Sequence, residues 1–354
     1  MYLPDLMKCE DGSPVLSPAQ WEKRRKELLH VLETEQYGIQ PRYHGKTRGE
    51  ITDVLTPCCA GHAQLEKIQI TFETPGGPFS FPLLFFCPSD HQPRPLILFI
   101  NFRPDAYDPY FPAEEIIDHG FALAVFCYTD ITSDDGNMKK GLAGLYARSH
   151  PETDWGKLSM WAFGASRALD YMLTRQEVDR RSVAVAGHSR LGKAALLCGA
   201  LDERVRFTFA NCSGCGGDAL EQTKHPGAED YAFMARTFPY WFCGNRNQYI
   251  DPAVPRPYDQ HFLLAAIAPR YVAVGSAQED TWADPFSAQL CCAAASPAWT
   301  IHGLPGFVGP QAPAQVNTAY GDGCIGYHLR DGVHFFSRQD WLRYMAFAKK
   351  HMAE

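Results

Sequence analysis

The stretch 181-RSVAVAGHSRLGKAALLCGA-200 decides the fold. Residues 182–186 form a run of β-branched and small apolar residues, typical of a strand buried on both faces, and the run stops at Gly187. From Leu191 onward, small residues and leucines predict a helix packed closely on the sheet. Ser189 lies between the two, as in a nucleophile elbow. We therefore expect its Oγ to be exposed at the sheet edge, with the next backbone N–H facing an oxyanion.

The serine motif departs from the usual form. Nucleophile elbows commonly read G-x-S-x-G, whereas this chain has 187-GHSRLG-192, in which the second glycine comes one residue late. A serine between glycines is more often only a turn residue, so the short motif leaves both interpretations open. The strand before Ser189 and the helix after it favour the catalytic interpretation.

The composition is that of an ordinary globular protein. The chain has 354 residues, of which 45% are hydrophobic and 21% charged, enough for one large α/β domain over residues 1–354. A net charge of −7 without a long basic run gives no support to a nucleic-acid partner. No run reaches the ~18 apolar residues that span a bilayer, so no membrane partner is expected. We expect a monomer.

Cysteine usage bears on the compartment and on metals. The twelve cysteines lie mostly inside apolar runs, which predicts buried free thiols and favours a reducing cytoplasm. The chain as given opens without the basic and apolar regions of a signal peptide; if a leader was removed, a periplasmic or secreted location is expected instead. The single C-x-x-C, 212-CSGC-215, has neither a second pair nor neighbouring histidines. No metal site is predicted.

The N-terminal part frames the sheet. Residues 18–38 contain an amphipathic surface helix that ends at a glycine. Residues 49–87 alternate between polar and apolar, and we expect antiparallel strands cut by Pro57, by 75-PGGP-78 and by Pro82.

Apolar runs then alternate with helical patterns, as in a parallel sheet with crossover helices. The predicted buried strands cover residues 95–100, 121–126, 182–186, 207–210 and 270–275. Polar residues 129–146 are expected to form a loop near the mouth of the cleft. Residues 218–262, rich in aromatics and prolines, are expected to form a cap-like insertion over the sheet ends. The pattern predicts an α/β-hydrolase fold, a three-layer sandwich with a mostly parallel central sheet.

Position along the chain selects the base. In α/β-hydrolases the triad follows the order Ser, Asp or Glu, His. His334 comes last, on a loop just before the terminal helix, whereas His328 lies six residues earlier on a predicted strand. We therefore expect His334 to be the base.

The acid is sought just beyond the strand at 270–275. Asp280 is close enough to the strand end to reach an imidazole Nδ1–H. Glu279 would point to the other side, and Asp284, before a proline, resembles a helix-starting residue. The sequence therefore predicts Asp280 as the acid that pairs with His334 in a triad with Ser189.

Six blocks of sequence, in order, resemble a known family. They are GHSRLGKAAL at 187–196, SGCGG at 213–217, FPYWFC at 238–243, DQHFLLAAIAPR at 259–270, SAQEDTWADP at 276–285 and IGYHLRDGVH at 325–334. Together they resemble the bacterial glucuronoyl esterases, carbohydrate esterase family 15, over nearly the whole chain. The resemblance implies an α/β-hydrolase without metal or cofactor that cleaves the ester between 4-O-methyl-glucuronic acid groups of xylan and lignin alcohols.

The resemblance also implies roles for further residues, with the serine and histidine chosen above as nucleophile and general base. Arg190 would add its side chain to the backbone N–H of the oxyanion hole, since a guanidinium offers fixed donors. Lys193, one helical turn after the serine, would reach the sugar hydroxyls. Glu229 would also hydrogen-bond sugar hydroxyls, and Trp282 would contact the glucuronate.

Two positions depart from the family pattern. Many members carry a glutamate as triad acid just before the Ser-Gly-x-Gly-Gly loop, and the matching residue here is Cys212. A thiol does not serve as an anionic orienter in an apolar loop unless its pKa is strongly lowered, so the acid has to come from the family's other position, Asp280. The loop 101-NFRPD-105, where a second oxyanion donor belongs, lacks the expected glycine, which predicts a changed preference at the cleft mouth.

The predicted function is a serine esterase that hydrolyses a glucuronate ester or a glucuronoxylan oligosaccharide through an acyl-enzyme. An acetyl xylan or other carbohydrate deacetylase would use the same triad. It needs no cationic recognition of a sugar acid, so Arg190 and Lys193 argue against it. A non-catalytic carbohydrate-binding protein on a hydrolase scaffold is the alternative of another class.

Overall fold

The computed structural model describes residues 3–251 and 253–353. Its centre is one ten-stranded sheet. In chain order the strands are β1 Arg48–Cys58, β2 Ala63–Thr74, β3 Gly77–Pro88, β4 Arg94–Asn101, β5 Ala122–Cys127, β6 Val178–His188, β7 Phe207–Asn211, β8 Tyr271–Ala277, β9 Thr318–Tyr320 and β10 Ile325–Arg330. Across the sheet their order is β1-β2-β3-β5-β4-β6-β7-β8-β10-β9.

The middle of the sheet is parallel. Strands β5, β4, β6, β7, β8 and β10 pair in parallel, and every residue of β5 and β7 is buried. Their continuous apolar sequences fit this position, because a parallel strand is covered on both faces. Strands β1 to β3 form the antiparallel side, and β9 closes the other edge antiparallel to β10.

Helices cover both faces. They are α1 Pro18–Leu32, α2 Ala113–Asp118, α3 Tyr128–Ile131, α4 Lys157–Met172, α5 Arg190–Leu201, α6 Tyr231–Thr237, α7 His261–Ala265, α8 Pro285–Ala295, α9 Pro297–Thr300 and α10 Arg338–Met352. Buried residues of α2 and α10 form one core with one face of the sheet, and those of α1, α4, α5, α7 and α8 form a second core. The three-layer α/β fold predicted from the sequence is confirmed.

Two proline predictions are wrong. Of the three positions, only 75-PGGP-78 contains a turn, at residues 75–76; Pro57 and Pro82 lie inside β1 and β3. β1 is an edge strand, and β3 pairs with β5 only over Leu84–Phe86. Each proline therefore lies where its strand has a partner on one side only, and edge positions tolerate the missing N–H.

The N-terminal helix is shorter than its segment. Ser17 caps α1 by accepting a hydrogen bond from the Gln20 N–H, and a proline occupies the first turn. After Leu32 the chain continues as a π-helical turn, Glu33–Tyr37, and then reaches Gly38 at φ 82°.

The predicted loop 129–146 includes the end of α3 and a 3-10 turn at Gly141–Leu145.

Two bulk features accompany this fold. In the described part of the chain no helix is both long and apolar enough to cross a bilayer. All twelve cysteines are buried, as the apolar runs around them predict.

The turn that carries Ser189 is strained and tightly packed. Ser189 has φ 56° and ψ −127°, a conformation that costs a residue with a side chain ~1–3 kcal/mol. A Cβ at Gly187 would lie 2.0 Å from the carbonyl oxygen of Leu191, and one at Gly192 would lie 2.9 Å from Cβ of Ser213. The late second glycine therefore permits α5 to approach the loop after β7.

Gly187→Ala tests this packing. Its new Cβ would overlap the backbone of α5, so we expect the free energy of unfolding to fall by at least ~2 kcal/mol, measured by urea denaturation. Gly136→Ala is the matched control, because the nearest atom to its Cβ lies 3.9 Å away. Equal stability of the two variants would contradict the close approach of α5 to β6.

Candidate active site

The predicted acid and base are hydrogen-bonded to each other. His334 Nδ1 lies 2.6 Å from Asp280 Oδ2. Asp280 is buried, whereas the side chain of His334 is 40% exposed. Burial acts to raise the pKa of Asp280, but the hydrogen bond and charge of His334 outweigh it, and the pKa lies below its usual value. Asp280 is thus an anion that holds the imidazole through its Nδ1 atom, while the His334 side chain stays partly exposed.

Cys212 packs against this pair. It follows β7, its φ is 48°, and its N–H donates to the Gly275 carbonyl at 2.7 Å. The thiol, the Asp280 carboxylate and the His334 imidazole lie within 4.8 Å of one another. Burial and the charge of Asp280 raise the pKa of Cys212 well above its ordinary value, while the thiol hydrogen bond helps to lower that of Asp280. Cys212 is therefore a neutral donor to the acid.

His188, the residue before Ser189, packs against the ring of His334. The rings of His188 and His334 have centroids 4.4 Å apart. His188 is buried, and its Nδ1 lies 2.7 Å from Asn211 Oδ1. Burial and the nearby charge of His334 lower the pKa of His188 to about 3. A neutral His188 adds no positive charge that would oppose protonation of His334.

Arg190, the first residue of α5, projects into an aromatic cage. The centre of its guanidinium lies 4.7 Å from the ring centroid of Trp241, 5.3 Å from that of Phe238 and 5.8 Å from that of Phe102. The Trp241 and Phe238 rings stack at 3.8 Å, almost parallel. Cation–π contacts favour a guanidinium in such a position.

Asp134 anchors the cage. Its carboxylate forms an ion pair with Arg190 Nη1, accepts the Tyr128 hydroxyl at 2.9 Å and accepts Trp241 Nε1–H at 2.7 Å. Both carboxylate oxygens are therefore used to hold the guanidinium and its aromatic neighbour. The residue lies in the segment predicted to border the cleft, but no sequence signal separates it from Asp135.

The start of α5 offers a backbone donor where the sequence predicts the oxyanion hole. The N–H of Arg190 is the first of a twelve-residue helix and has no intrahelical acceptor. In the loop after β4, the Phe102 N–H donates to Asn101 Oδ1 at 2.8 Å, and Asn101 Nδ2 donates to the Arg103 carbonyl at 3.0 Å. This loop is the one predicted to hold the second backbone donor, and its Phe102 N–H is already hydrogen-bonded within the loop.

Lys193 and Glu229 meet beneath the elbow. The Lys193 N–H donates to the Ser189 carbonyl at 3.2 Å, so its side chain leaves α5 one turn after the serine. Lys193 Nζ lies 3.5 Å from Glu229 Oε2 and donates to the Ser213 carbonyl. Both side chains are buried, and a Cβ at Gly214 would lie 2.4 Å from Glu229 Oε1. The Gly-rich loop after β7 therefore makes room for this ion pair.

Trp282 lies at the rim. Trp282 is 42% exposed, and its ring contacts that of Phe233 edge-to-face, with ring centroids 4.7 Å apart. Its backbone carbonyl accepts a hydrogen bond from the Glu229 N–H at 3.0 Å. An exposed indole held from behind in this way offers a flat apolar surface to a sugar ring.

The rejected candidates have structural partners. His328 Nε2 lies 2.8 Å from Asp340 Oδ1, and both residues are buried. Asp284 caps α8 by accepting the Ser287 N–H. Glu279 is exposed. The roles of the selected site residues remain predictions, but the structure places Asp280 beside His334 and Lys193 beside Glu229.

The three triad residues follow three parallel strands. Ser189 follows β6, Asp280 follows β8 and His334 follows β10. This is the chain order and sheet placement of an α/β-hydrolase, and it defines the class.

Comparison with known proteins specifies the family. The fungal glucuronyl esterase family model matches residues 70–303. Carbohydrate esterase MZ0003, from an unknown prokaryotic organism, is 33% identical over 99% of this chain and 89% of its own length. The 4-O-methyl-glucuronoyl methylesterase 1 of Wolfiporia cocos is 26% identical over 87% of this chain and 74% of its own. The solved glucuronoyl esterase of Solibacter usitatus has a TM-score of 0.90 at 33% identity, covering 99% of this chain and 97% of the other.

The chain belongs to the glucuronyl esterase family, and the protein is a carbohydrate esterase, a carboxylic ester hydrolase. The family resemblance carried by the six sequence blocks is confirmed.

Asp280→Asn separates the acid from its neighbour Cys212. Amidation removes the charge that holds His334 in the productive tautomer, so we expect kcat to fall ~10⁴-fold, as for other triad aspartates. Cys212→Ala removes only a neutral donor and is expected to retain most of the activity. Initial rates on a glucuronate ester measure both variants. Near-complete loss in Cys212→Ala with little loss in Asp280→Asn would overturn the assignment of the acid.

Asp134→Asn tests the anchoring of Arg190. The amide weakens the hold on the guanidinium without removing it, so we expect kcat to fall by ~10-fold or more, less than the full loss of an oxyanion donor, while KM changes little. Asp135→Asn is the matched control, because that carboxylate contacts Lys157 at 3.2 Å and not Arg190. Equal steady-state parameters for the two variants would show that Asp134 does not position the guanidinium.

Proposed function

We propose that this esterase hydrolyses esters of (4-O-methyl-)glucuronic acid, as carried by glucuronoxylan, with lignin-type alcohols as leaving groups. The observation that carries the proposal is the buried Lys193–Glu229 pair, whose charged atoms lie 3.5 Å apart, with Lys193 one helical turn after Ser189. An ammonium donates and a carboxylate accepts, so adjacent hydroxyls of one sugar ring can satisfy both. The name of the Wolfiporia cocos relative, a 4-O-methyl-glucuronoyl methylesterase, supports the same substrate class.

The proposed chemistry is a double displacement. His334 accepts the proton of Ser189 Oγ as the serine attacks the uronate carbonyl, and the anion of Asp280 stabilises the imidazolium. The imidazolium then protonates the departing alcohol, leaving an acyl-enzyme. A water, deprotonated by the same histidine, attacks the acyl carbonyl; the bond to Ser189 Oγ breaks, the imidazolium returns its proton to Oγ, and the acid is released.

Arg190 is proposed to stabilise the oxyanion twice, through its backbone N–H and through its guanidinium. The aromatic cage and Asp134 hold the guanidinium before the substrate arrives, so little reorganisation accompanies the reaction. The guanidinium takes the place of the Phe102 N–H as second donor, because that N–H already donates to Asn101 Oδ1.

The ratio of kcat/KM for benzyl glucuronate to that for 4-nitrophenyl acetate tests the substrate. We expect a strong preference for the glucuronate, because acetate offers no hydroxyls to Lys193 and Glu229, and we expect Ser189→Ala to abolish turnover of both. Preference for the acetate would move the substrate to acetylated sugars while leaving the triad in place.

A variant pair assigns the preference to the sugar pocket. Glu229→Gln should lower kcat/KM for the glucuronate and leave that for the acetate largely unchanged, since the acetate does not reach the pocket. Glu279→Gln removes an exposed carboxylate from the neighbouring loop and serves as the control. Equal losses on both substrates in Glu229→Gln would indicate a structural role for this residue.

A further inference from the structure

A second cluster of reactive side chains lies at the opposite end of the sheet. Cys87 is near the end of β3, His91 is in the loop to β4, and Glu177 directly precedes β6. The Arg94 N–H donates to the Glu177 carbonyl at 2.9 Å, which joins the starts of β4 and β6. Because the active site lies at the carboxyl ends of the parallel strands, this cluster is separate from it.

Two of the distances between the ligand atoms are close to those of a metal site. Cys87 Sγ lies 3.9 Å from His91 Nδ1, and His91 Nδ1 lies 3.4 Å from Glu177 Oε1. All three atoms lie within 4.8 Å of one another. Bonds of ~2.0–2.3 Å in a tetrahedral zinc site separate neighbouring ligand atoms by ~3.3–3.6 Å. The sulfur–nitrogen distance therefore needs to shorten by only a few tenths of an ångström.

The surroundings hold these ligands in place. Arg175 donates to both oxygens of Glu177, at 3.0 and 3.1 Å, and to Glu66 Oε1 at 3.0 Å. Its charge is thus shared with a second carboxylate, and it orients Glu177 as outer-shell partners of metal ligands do. His91 has φ 51°, a conformation rare for a residue with a side chain. The histidine side chain is 57% exposed, which gives an ion a path from solvent.

We propose that Cys87, His91 and Glu177 bind one Zn²⁺ ion, with water as the fourth ligand. A thiolate, a neutral imidazole and a carboxylate are the donor types that zinc prefers, and the two anions balance its charge. The site is independent of the esterase chemistry.

A cysteine binds Zn²⁺ as the thiolate, so binding releases the Cys87 thiol proton to solvent as the zinc–sulfur bond forms.

Titration of the chelator-treated full chain with zinc chloride in a calorimeter tests the site. We expect one equivalent to bind, and His91→Ala to weaken that binding at least tenfold while the melting temperature of the apoprotein stays unchanged. His62→Ala is the matched control, because His62 is also exposed and its Nδ1 lies 2.6 Å from a carboxylate, that of Asp118. Absence of zinc binding, or equal affinity in both variants, would overturn the proposal.

The triad cluster needs its own control, since Cys212, Asp280 and His334 also lie within 4.8 Å. Zinc binding that survives His91→Ala but disappears in His334→Ala would place the ion at the triad and refute the site. Cobalt(II) gives a second measurement. A thiolate-to-cobalt absorption band that is lost in Cys87→Ser and kept in Cys212→Ser supports the site, and the reverse pattern refutes it. Ester turnover is not the readout, so failure here leaves the proposed substrate unaffected.

Discussion

The close approach of α5 to the ends of the parallel strands is the constraint on which the site depends. It holds Ser189 in a conformation that costs free energy, and it requires glycines at 187 and 192 because side chains there would meet backbone or Ser213. The same approach places three polar groups in the first turn of α5. They are the backbone N–H of Arg190, its guanidinium and the ammonium of Lys193. The proposed oxyanion donors and Lys193, one of the residues proposed to bind the sugar, therefore lie on one helix.

The sheet offers two neighbouring strand ends from which an acid can reach the histidine. The ends of β7 and β8 are neighbours, so side chains leaving either strand can reach the histidine after β10. Here the anion comes from the loop after β8, and the residue after β7 is a thiol. A second carboxylate at that point would repel Asp280 in a buried setting and raise its pKa. A neutral thiol instead donates a hydrogen bond and keeps the charge on one residue.

The sheet and the pairing of Asp280 with His334 were predictable because they follow from local signals: apolar runs, chain order and the distance from a strand end. Pro57 and Pro82 were misread as breaks, since a single sequence does not show which strand edges lack a partner. Asp134 was not selected, because its importance comes from Arg190, Tyr128 and Trp241, which are distant in sequence. The cluster of Cys87 and Glu177 was missed for the same reason, since the two residues are distant in sequence and meet only in the folded sheet.

The proposed use of the Arg190 guanidinium as an oxyanion donor would carry an electrostatic cost, which Asp134 offsets. A free cation beside the serine would bind anions such as the product carboxylate. Asp134 balances the charge, and the rings of Trp241 and Phe238 cover part of the guanidinium, whose side chain is 27% exposed. The aspartate also accepts Trp241 Nε1–H and the Tyr128 hydroxyl, so one carboxylate ties the guanidinium to two residues around it. These contacts orient the guanidinium in advance, which is the property that oxyanion stabilisation requires.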